Sequence, residues 1–169
     1  DYLQQTQEKL GQLQQIAKLL EQAQKAVAEA VVRLGRAAAV LTQLREASAK
    51  ALAQRITQHI RDLAMPNGVL QIKCGQLDKF MPLGRDELKF IFSANMGEPL
   101  NDLEKVASGG ELSRIALAVK TVLMNSGDVA TMVFDEIDTG VGGVTAQKMA
   151  EKIAAISSVG QVLCITHLP

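Results

Sequence analysis

The feature that most constrains the fold is the proline-free stretch from Leu3 to Leu63. Mostly apolar residues recur in it every seven positions, and a second series stands three residues before the first, as in the a/d pattern of a coiled coil. The two series are Leu13, Leu20, Val27, Leu34 and Leu41, and Leu10, Ala17, Gln24, Val31 and Ala38. The pattern predicts a helix about 90–95 Å long, which needs a partner helix along its apolar side.

The spacing of apolar residues changes after Leu41, because Leu41, Leu52 and Leu63 stand eleven positions apart. An eleven-residue step is typical of a stutter that relaxes the left-handed supercoil. Gly35 costs only about 1 kcal/mol inside a helix, so one continuous rod is favoured. The alternative is a hairpin of two bundle helices broken near Gly35.

The segment Met65-Pro66-Asn67-Gly68 is predicted to end the rod, since proline blocks a helix and Asn-Gly favours a turn. We therefore divide the chain into a coiled-coil arm, residues 1–64, and a globular part, residues 65–169. Strand patterns with a Gly- and Pro-punctuated loop between them cover 69–74 and 88–93, and later segments alternate between helix (109–125, 144–157) and buried strand (130–134, 161–166). The predicted fold class is α/β, with parallel strands flanked by helices, a short antiparallel hairpin and a long helix attached.

Charge and cysteine content give little functional information. The formal net charge is zero, with a net of +3 over residues 1–64 (nine Lys/Arg, six Asp/Glu) and −3 over residues 65–169 (nine and twelve). This polarity is too weak to identify a DNA-binding face. Cys74 and Cys164 stand in apolar strand patterns, which predicts buried, reduced thiols in a cytosolic protein. No run of about 18 apolar residues occurs, so no membrane span is predicted.

The first chemical motif is Ser108-Gly109-Gly110-Glu111 at the start of the helix predicted from 109. Glycines let a ligand approach the backbone, and the free N–H groups of a helix start attract phosphate. Ser108 adds a hydroxyl donor. The plainer interpretation is a helix start in which Ser108 and Glu111 form a capping box.

The second motif is Asp135-Glu136, directly after the buried strand 130–134. Two adjacent carboxylates repel each other unless a cation or substrate needs them. Asp135 could hold Mg²⁺ and Glu136 could orient a water for nucleotide hydrolysis. The third motif, Thr166-His167, ends the next strand, where an imidazole can donate to a phosphate. The plainer interpretations are solvated acids at a strand end and a structural histidine.

The order of these motifs resembles the C-terminal lobe of an ABC-type ATPase head, with its signature motif, Walker B strand and switch histidine. A long coiled coil running directly into such a lobe is similar to SMC proteins and their RecN-type relatives, which are DNA-repair ATPases. SMC proteins typically continue Asp-Glu-x-Asp-Ala-x-Leu-Asp after the acids. This chain instead reads DEIDTGVGG over 135–143, and this stretch, 107–118 and 165–169 resemble RecN.

The resemblance implies a role for each motif. The γ-phosphate of ATP held by a second copy of the head would be contacted by Ser108, Gly109 and Gly110. Glu111 would complete this nucleotide-binding motif. Asp138 would lie in the loop that crosses the interface between the two heads.

For catalysis, the resemblance implies that Asp135 serves Mg²⁺, that Glu136 activates the water and that His167 senses the γ-phosphate. The cofactors implied are ATP and Mg²⁺. The Gly-Lys dipeptide of a P-loop does not occur in the chain. In the family that element lies in an N-terminal head lobe, so we expect the present chain alone to be inactive.

The expected function is therefore part of an SMC-like ATPase that acts in DNA double-strand break repair, in the bacterial cytoplasm at the nucleoid. Its partners would be the N-terminal lobe of the same protein, a second head, and DNA, the last by resemblance only; no membrane is expected. One alternative is a chromosome-organising SMC-type ATPase. Another is a structural coiled-coil adaptor without catalysis, which would have no use for Glu136.

Overall fold

A computed structural model describes residues 2–105, 109–124 and 131–166. In chain order the elements are α1 (Tyr2–Arg61), β1 (Val69–Met81), β2 (Gly84–Ser93), β3 (Asn101–Asp102), a short 3-10 helix (Leu103–Lys105), α2 (Gly109–Leu123), β4 (Thr131–Phe134), α3 (Gly143–Ser157) and β5 (Gln161–Cys164). This order confirms the α/β class with a long N-terminal helix. Within those ranges, no helix combines the length and the apolar character needed to cross a membrane.

Helix α1 runs unbroken through Gly35, so the rod is one helix and the hairpin alternative is not formed. Its N-terminal half, from Tyr2 to Leu34, is exposed at every position. Burial begins only at Ala38 and then recurs along one face, at Ala38, Thr42, Ala49, Ala53, Ile56, Thr57 and Ile60. The same helix is therefore an isolated rod at one end and a core element at the other.

The helix ends four residues before Met65, close to the predicted stop. Ala64 takes a left-handed backbone conformation with φ of 62°, which is typical of a residue just after a helix. Gly68 N–H donates to Met65 O at 2.9 Å and closes the turn. A Cβ atom on Gly68 would lie 2.7 Å from Ile60 Cγ2, so only glycine fits this return of the chain.

Strands β1 and β2 form an antiparallel hairpin that is longer than the sequence predicted. Pairing runs from Val69 opposite Ser93 to Gln76 opposite Asp86, and resumes at Met81 opposite Gly84. The prediction of a loop between 74 and 88 was wrong, because paired strands satisfy backbone groups even where the side chains are polar. β3 then pairs with β2 on its other edge.

Strands β4 and β5 pair in parallel, from Thr131 opposite Gln161 to Phe134 opposite Cys164, which confirms the predicted parallel arrangement. The prediction that the later strand is buried was wrong. Within the described residues β5 has one neighbouring strand, so most of its side chains stay exposed. The predicted burial of both thiols was also wrong, since Cys164 is exposed and Cys74 is half-buried.

The hydrophobic core lies where the C-terminal part of α1 meets the hairpin and helices α2 and α3. Its largest fully buried side chains come from each of these elements and from the loops between them: Ile56, Ile60, Leu63, Leu70, Ile115, Leu117, Ile137 and Ile156. Burying side chains of this size contributes about 1.5–3 kcal/mol each. The core thus fixes α2 and the loop after β4 against the base of the rod.

The tip of the hairpin is fastened to the middle of α1. Thr42 Oγ1 donates to Asp86 Oδ1 at 2.5 Å, and Arg45 Nη1 donates to Asp86 Oδ2 at 2.7 Å. The Thr42 hydroxyl and, second, the Arg45 guanidinium hold the pKa of Asp86 below its usual range. Arg45 Nη2 also donates to Leu83 O at 2.7 Å. Gly84 permits this close approach with a φ of 102°.

An ionic cluster, here called the Asp62 cluster (His59, Asp62, Lys148 and Lys152), joins the base of α1 to α3. Asp62 lies 3.0 Å from Lys148 Nζ and 3.1 Å from Lys152 Nζ. The hydrogen bond from Lys148 lowers the pKa of Asp62. Lys152 Nζ lies 2.7 Å from His59 Nδ1, and an ammonium can only donate, so the imidazole accepts in its neutral form. Burial and then Lys152 lower the pKa of His59, which favours that neutral form.

The exposed half of α1 should associate with another helix through its a/d side. Leu13 is 62% exposed and Leu20 is 58% exposed, so replacing both with Gln should weaken self-association measured by light scattering or sedimentation. Leu19 and Val40 are as exposed but lie off the a/d side, and Gln at both should leave association unchanged. A monomeric chain at high concentration would contradict this prediction.

Replacing Gly84 with Ala should destabilise the docking of the hairpin on α1. The new Cβ would lie 3.0 Å from both Arg45 Nη1 and Leu41 Cδ2, at a φ that alanine disfavours. We expect a loss of about 1–3 kcal/mol in the free energy of unfolding, measured with denaturant. Gly97→Ala has positive φ but open space around it, so it should cost less. An equal cost at both positions would show that the contact to α1 adds nothing.

Candidate functional site

Asp135 and Glu136 follow β4 directly, at the carboxyl end of a parallel strand, and both are exposed. Ile165 N–H donates to Phe134 O at 2.9 Å, which continues the parallel ladder up to the two acids. Open α/β sheets bind ligands outside the carboxyl ends of their strands. The two carboxylates therefore stand where a ligand would meet this sheet.

Glu136 has a left-handed backbone, with φ of 54°. Non-glycine residues rarely adopt this conformation, and those that do cluster at functional sites. Thr139 N–H donates to Glu136 O at 3.2 Å, and Val141 N–H donates to Asp138 O at 3.0 Å. These hydrogen bonds close two successive turns within the segment 135–141.

The start of α2 lies directly against Glu136. A Cβ atom on Gly109 would lie 3.2 Å from Glu136 Oε2, and one on Gly110 would lie 3.1 Å from Glu136 O. The two glycines thus permit a close approach between the helix start and the segment 135–141, here called the acidic loop. Glu111 stands in the first turn of α2 and is half-buried. Ser108 lies outside the described residues.

Two side chains of α2 bind the backbone of the acidic loop. Ser113 Oγ donates to Asp135 O at 2.8 Å. Arg114 Nη1 donates to Thr139 O at 3.0 Å and to Ile137 O at 3.4 Å. Arg114 is only 7% exposed, and this burial lowers the pKa of its guanidinium, while Glu111 opposes the shift. Alternate carbonyls of the loop are therefore held from one helix.

Asp138 lies inside the fold rather than at its surface. It is 7% exposed, and Thr166 Oγ1 donates to its Oδ2 at 2.7 Å. This bond connects the loop after β4 to the end of β5. His167, the next residue, lies outside the described residues.

The structure therefore brings four of the predicted site residues to one edge: Gly109, Gly110, Asp135 and Glu136. Carboxylate oxygens suit Mg²⁺, which usually takes one or two carboxylates together with water and phosphate oxygens. Among the residues that the structure describes, no group of three or more His, Cys, Asp or Glu could enclose a metal. The two exposed carboxylates at this edge fit a Mg²⁺ site only if phosphate oxygens and water complete the coordination.

Sequence reasoning missed Ser113 and Arg114. One signal was available for Arg114, because it falls on the same helical face as Ala118 and Val122, both buried. A charged residue on a buried face needs hydrogen-bond partners. No comparable signal marks Ser113.

The sequence is similar to curated RecN proteins over most of its length. The DNA repair protein RecN of Bacillus subtilis is 43% identical over 147 residues, which covers 78% of this chain and 26% of the relative. That of Treponema pallidum is 42% identical over 155 residues, which covers 88% of this chain and 26% of the relative. The chain belongs to the RecN family. It spans about a quarter of the length of these relatives.

The fold of this RecN-type chain resembles part of an SMC head structure. The crystal structure of the Smc head domain with an extended coiled coil, from Pyrococcus furiosus and bound there to the C-terminal domain of ScpA, matches 74% of this chain and 30% of its own. The TM-score is 0.50 at 21% sequence identity, so the likeness concerns the fold. No family model matches the sequence.

Replacing Gly110 with Ala should displace the acidic loop. Its Cβ would meet Glu136 O at 3.1 Å and Thr139 Cβ at 3.3 Å, and the backbone atom cannot rotate away. We expect a loss of about 1–3 kcal/mol in stability and faster hydrogen exchange across 135–141. Gly142→Ala is the matched control, because its Cβ would meet nothing within 4 Å. Unchanged exchange in the Gly110 variant would mean that the two segments are not in contact.

Proposed function

We propose that this chain forms the C-terminal lobe of an ATPase head that hydrolyses ATP in DNA double-strand break repair. The main support for this proposal is the position of Asp135 and Glu136 at the end of a parallel strand, against the glycine-rich start of α2. Similarity to RecN proteins supports the link to DNA repair. We place the protein in the bacterial cytoplasm, at the nucleoid.

Glu136 is the residue that we assign to the attacking water. Its carboxylate is exposed, so it can accept a hydrogen bond from water and orient the oxygen toward a phosphate. Asp135 would hold Mg²⁺, which when bound neutralises charge on the phosphate oxygens. The left-handed backbone at Glu136 turns its carboxylate toward Gly109, away from a regular continuation of β4.

The start of α2 is the segment that we assign to the γ-phosphate. Gly109 is exposed at the helix start, Gly110 packs against the loop that carries Glu136, and Ser108 precedes both in the sequence. The N–H groups of a helix start, with the positive end of the dipole, favour an anion. Asp138 would lie in the loop that crosses the interface between the two heads, and His167 would sense the γ-phosphate.

Two further parts complete the proposed site. The chain contains no Gly-Lys dipeptide, so a P-loop lobe would come from elsewhere in the same protein. A second head would supply the phosphate that meets α2. Because phosphoryl transfer depends on positioning and charge stabilisation, we expect no ATP hydrolysis from this chain alone. DNA is the proposed substrate of the whole protein on family grounds.

Replacing Glu136 with Gln in the protein that joins this chain to its P-loop lobe should preserve ATP binding. Hydrolysis should fall by about 10²-fold or more, because the positioned base is lost. Nucleotide-bound dimers should then accumulate, which gel filtration with ATP would detect.

Glu104→Gln is the control, since it removes an exposed acid from the short 3-10 helix, on a different segment from the two acids. Its turnover should match that of the wild type. Undiminished hydrolysis in the Glu136 variant would remove the role assigned here. A wild-type protein that never hydrolyses ATP would favour the coiled-coil adaptor instead.

A further inference from the structure

Three hydrogen bonds from α2 reach alternate carbonyls of the acidic loop. Ser113 binds Asp135 O, and Arg114 binds the carbonyls of residues 137 and 139. Glu136 lies between the first two of these anchors. Its left-handed backbone is thus fixed on both sides by side chains of the helix that begins at Gly109.

Arg114 is an unfavourable residue for the stability of the fold at this position. The side chain is buried, and its Nε has no hydrogen-bond partner among the described residues. Burying a charged group and leaving a donor unsatisfied both lower stability. An apolar side chain would fill the same face beside Ala118 with less cost. Residues that break a local rule in this way are concentrated at functional sites.

We propose that Ser113 and Arg114 are positioning residues that hold the Glu136 carboxylate at a fixed position relative to the start of α2. The inference rests on the proposed function and deepens it. Arg114 supplies two donors from one nitrogen to the loop, and Ser113 fixes the residue that precedes Glu136. A phosphate bound at the helix start and a water held by Glu136 would then keep a constant separation.

This arrangement predicts an effect on turnover rather than on nucleotide affinity. Neither side chain is assigned a contact to the phosphate, because Arg114 is buried with its Nη1 beside Gly110 and bonded to the loop, and Ser113 donates to Asp135 O. Losing them should loosen the loop without removing any proposed phosphate contact. A small misplacement of a catalytic group can cost about 10²-fold in rate.

The test uses the protein that carries both this chain and its P-loop lobe. Arg114→Met should lower kcat by about 10- to 100-fold while the KM for ATP stays within about 2-fold. Arg114→Lys should recover part of that loss, because an ammonium can reach a carbonyl but lacks the planar fork. Ser113→Ala should lower kcat by about 2- to 10-fold, the scale of one hydrogen bond.

A second readout does not depend on activity. Without nucleotide, Arg114→Met should speed hydrogen exchange at the amides of Thr139 and Val141, whose turns the guanidinium supports. Thr121→Ala is the matched control, since Thr121 Oγ1 bonds the backbone of the same helix at 2.8 Å, away from the loop. It should change neither the exchange of 135–141 nor kcat.

Should Arg114→Met fail to fold, kcat and hydrogen exchange are compared with the wild type in Ser113→Ala and Arg114→Lys instead. Unchanged kcat and unchanged exchange in these variants, in a protein that hydrolyses ATP and responds to Glu136→Gln, would overturn the positioning role alone. A rise in KM without a fall in kcat would also overturn it. A wild-type protein without hydrolysis would instead count against the proposed function, and the exchange measurement would still decide whether the loop is held.

Discussion

The whole fold depends on the burial of one face of α1 from Ala38 onward. Ala53, Ile56 and Ile60 pack into the core that the hairpin, α2 and α3 share. Apolar burial is the dominant favourable term in folding, and α1 packs directly against β1, β2 and α2. The rod is therefore not an appendage, because its last turns form one wall of the globular part.

Topology explains why two motifs that lie 25 or more residues apart meet at one edge. Residues of α2 from Leu112 to Lys120 line one surface groove together with Met132, Val133 and Phe134 of β4. Ser113 donates to Asp135 O, so the start of the helix lies beside the end of the strand. The glycines at 109 and 110 then let the two backbones approach without a steric clash.

Patterns in the sequence predicted the features that depend on periodicity: the continuous rod, the helix beginning at Gly109 and the parallel strands before Asp135 and after α3. They failed where backbone pairing outweighed side-chain pattern, as in the hairpin beyond Cys74. The contact between Arg114 and residue 139 joins distant segments, so no local pattern encodes it. The positive φ of Glu136 likewise arises from tertiary packing, since glutamate has no intrinsic preference for it.

The Asp62 cluster has a mechanical consequence. It couples the last turns of α1 to α3, which begins directly after the segment that carries the two acids. The exposed part of α1, residues 2–37, extends about 50 Å beyond the core at 1.5 Å per residue. A tilt of about 6° at the base would move the far tip by about 5 Å on that length. A shift of α3 that tilted α1 by this angle through the Asp62 cluster would thus move the tip of the rod by roughly one helical turn.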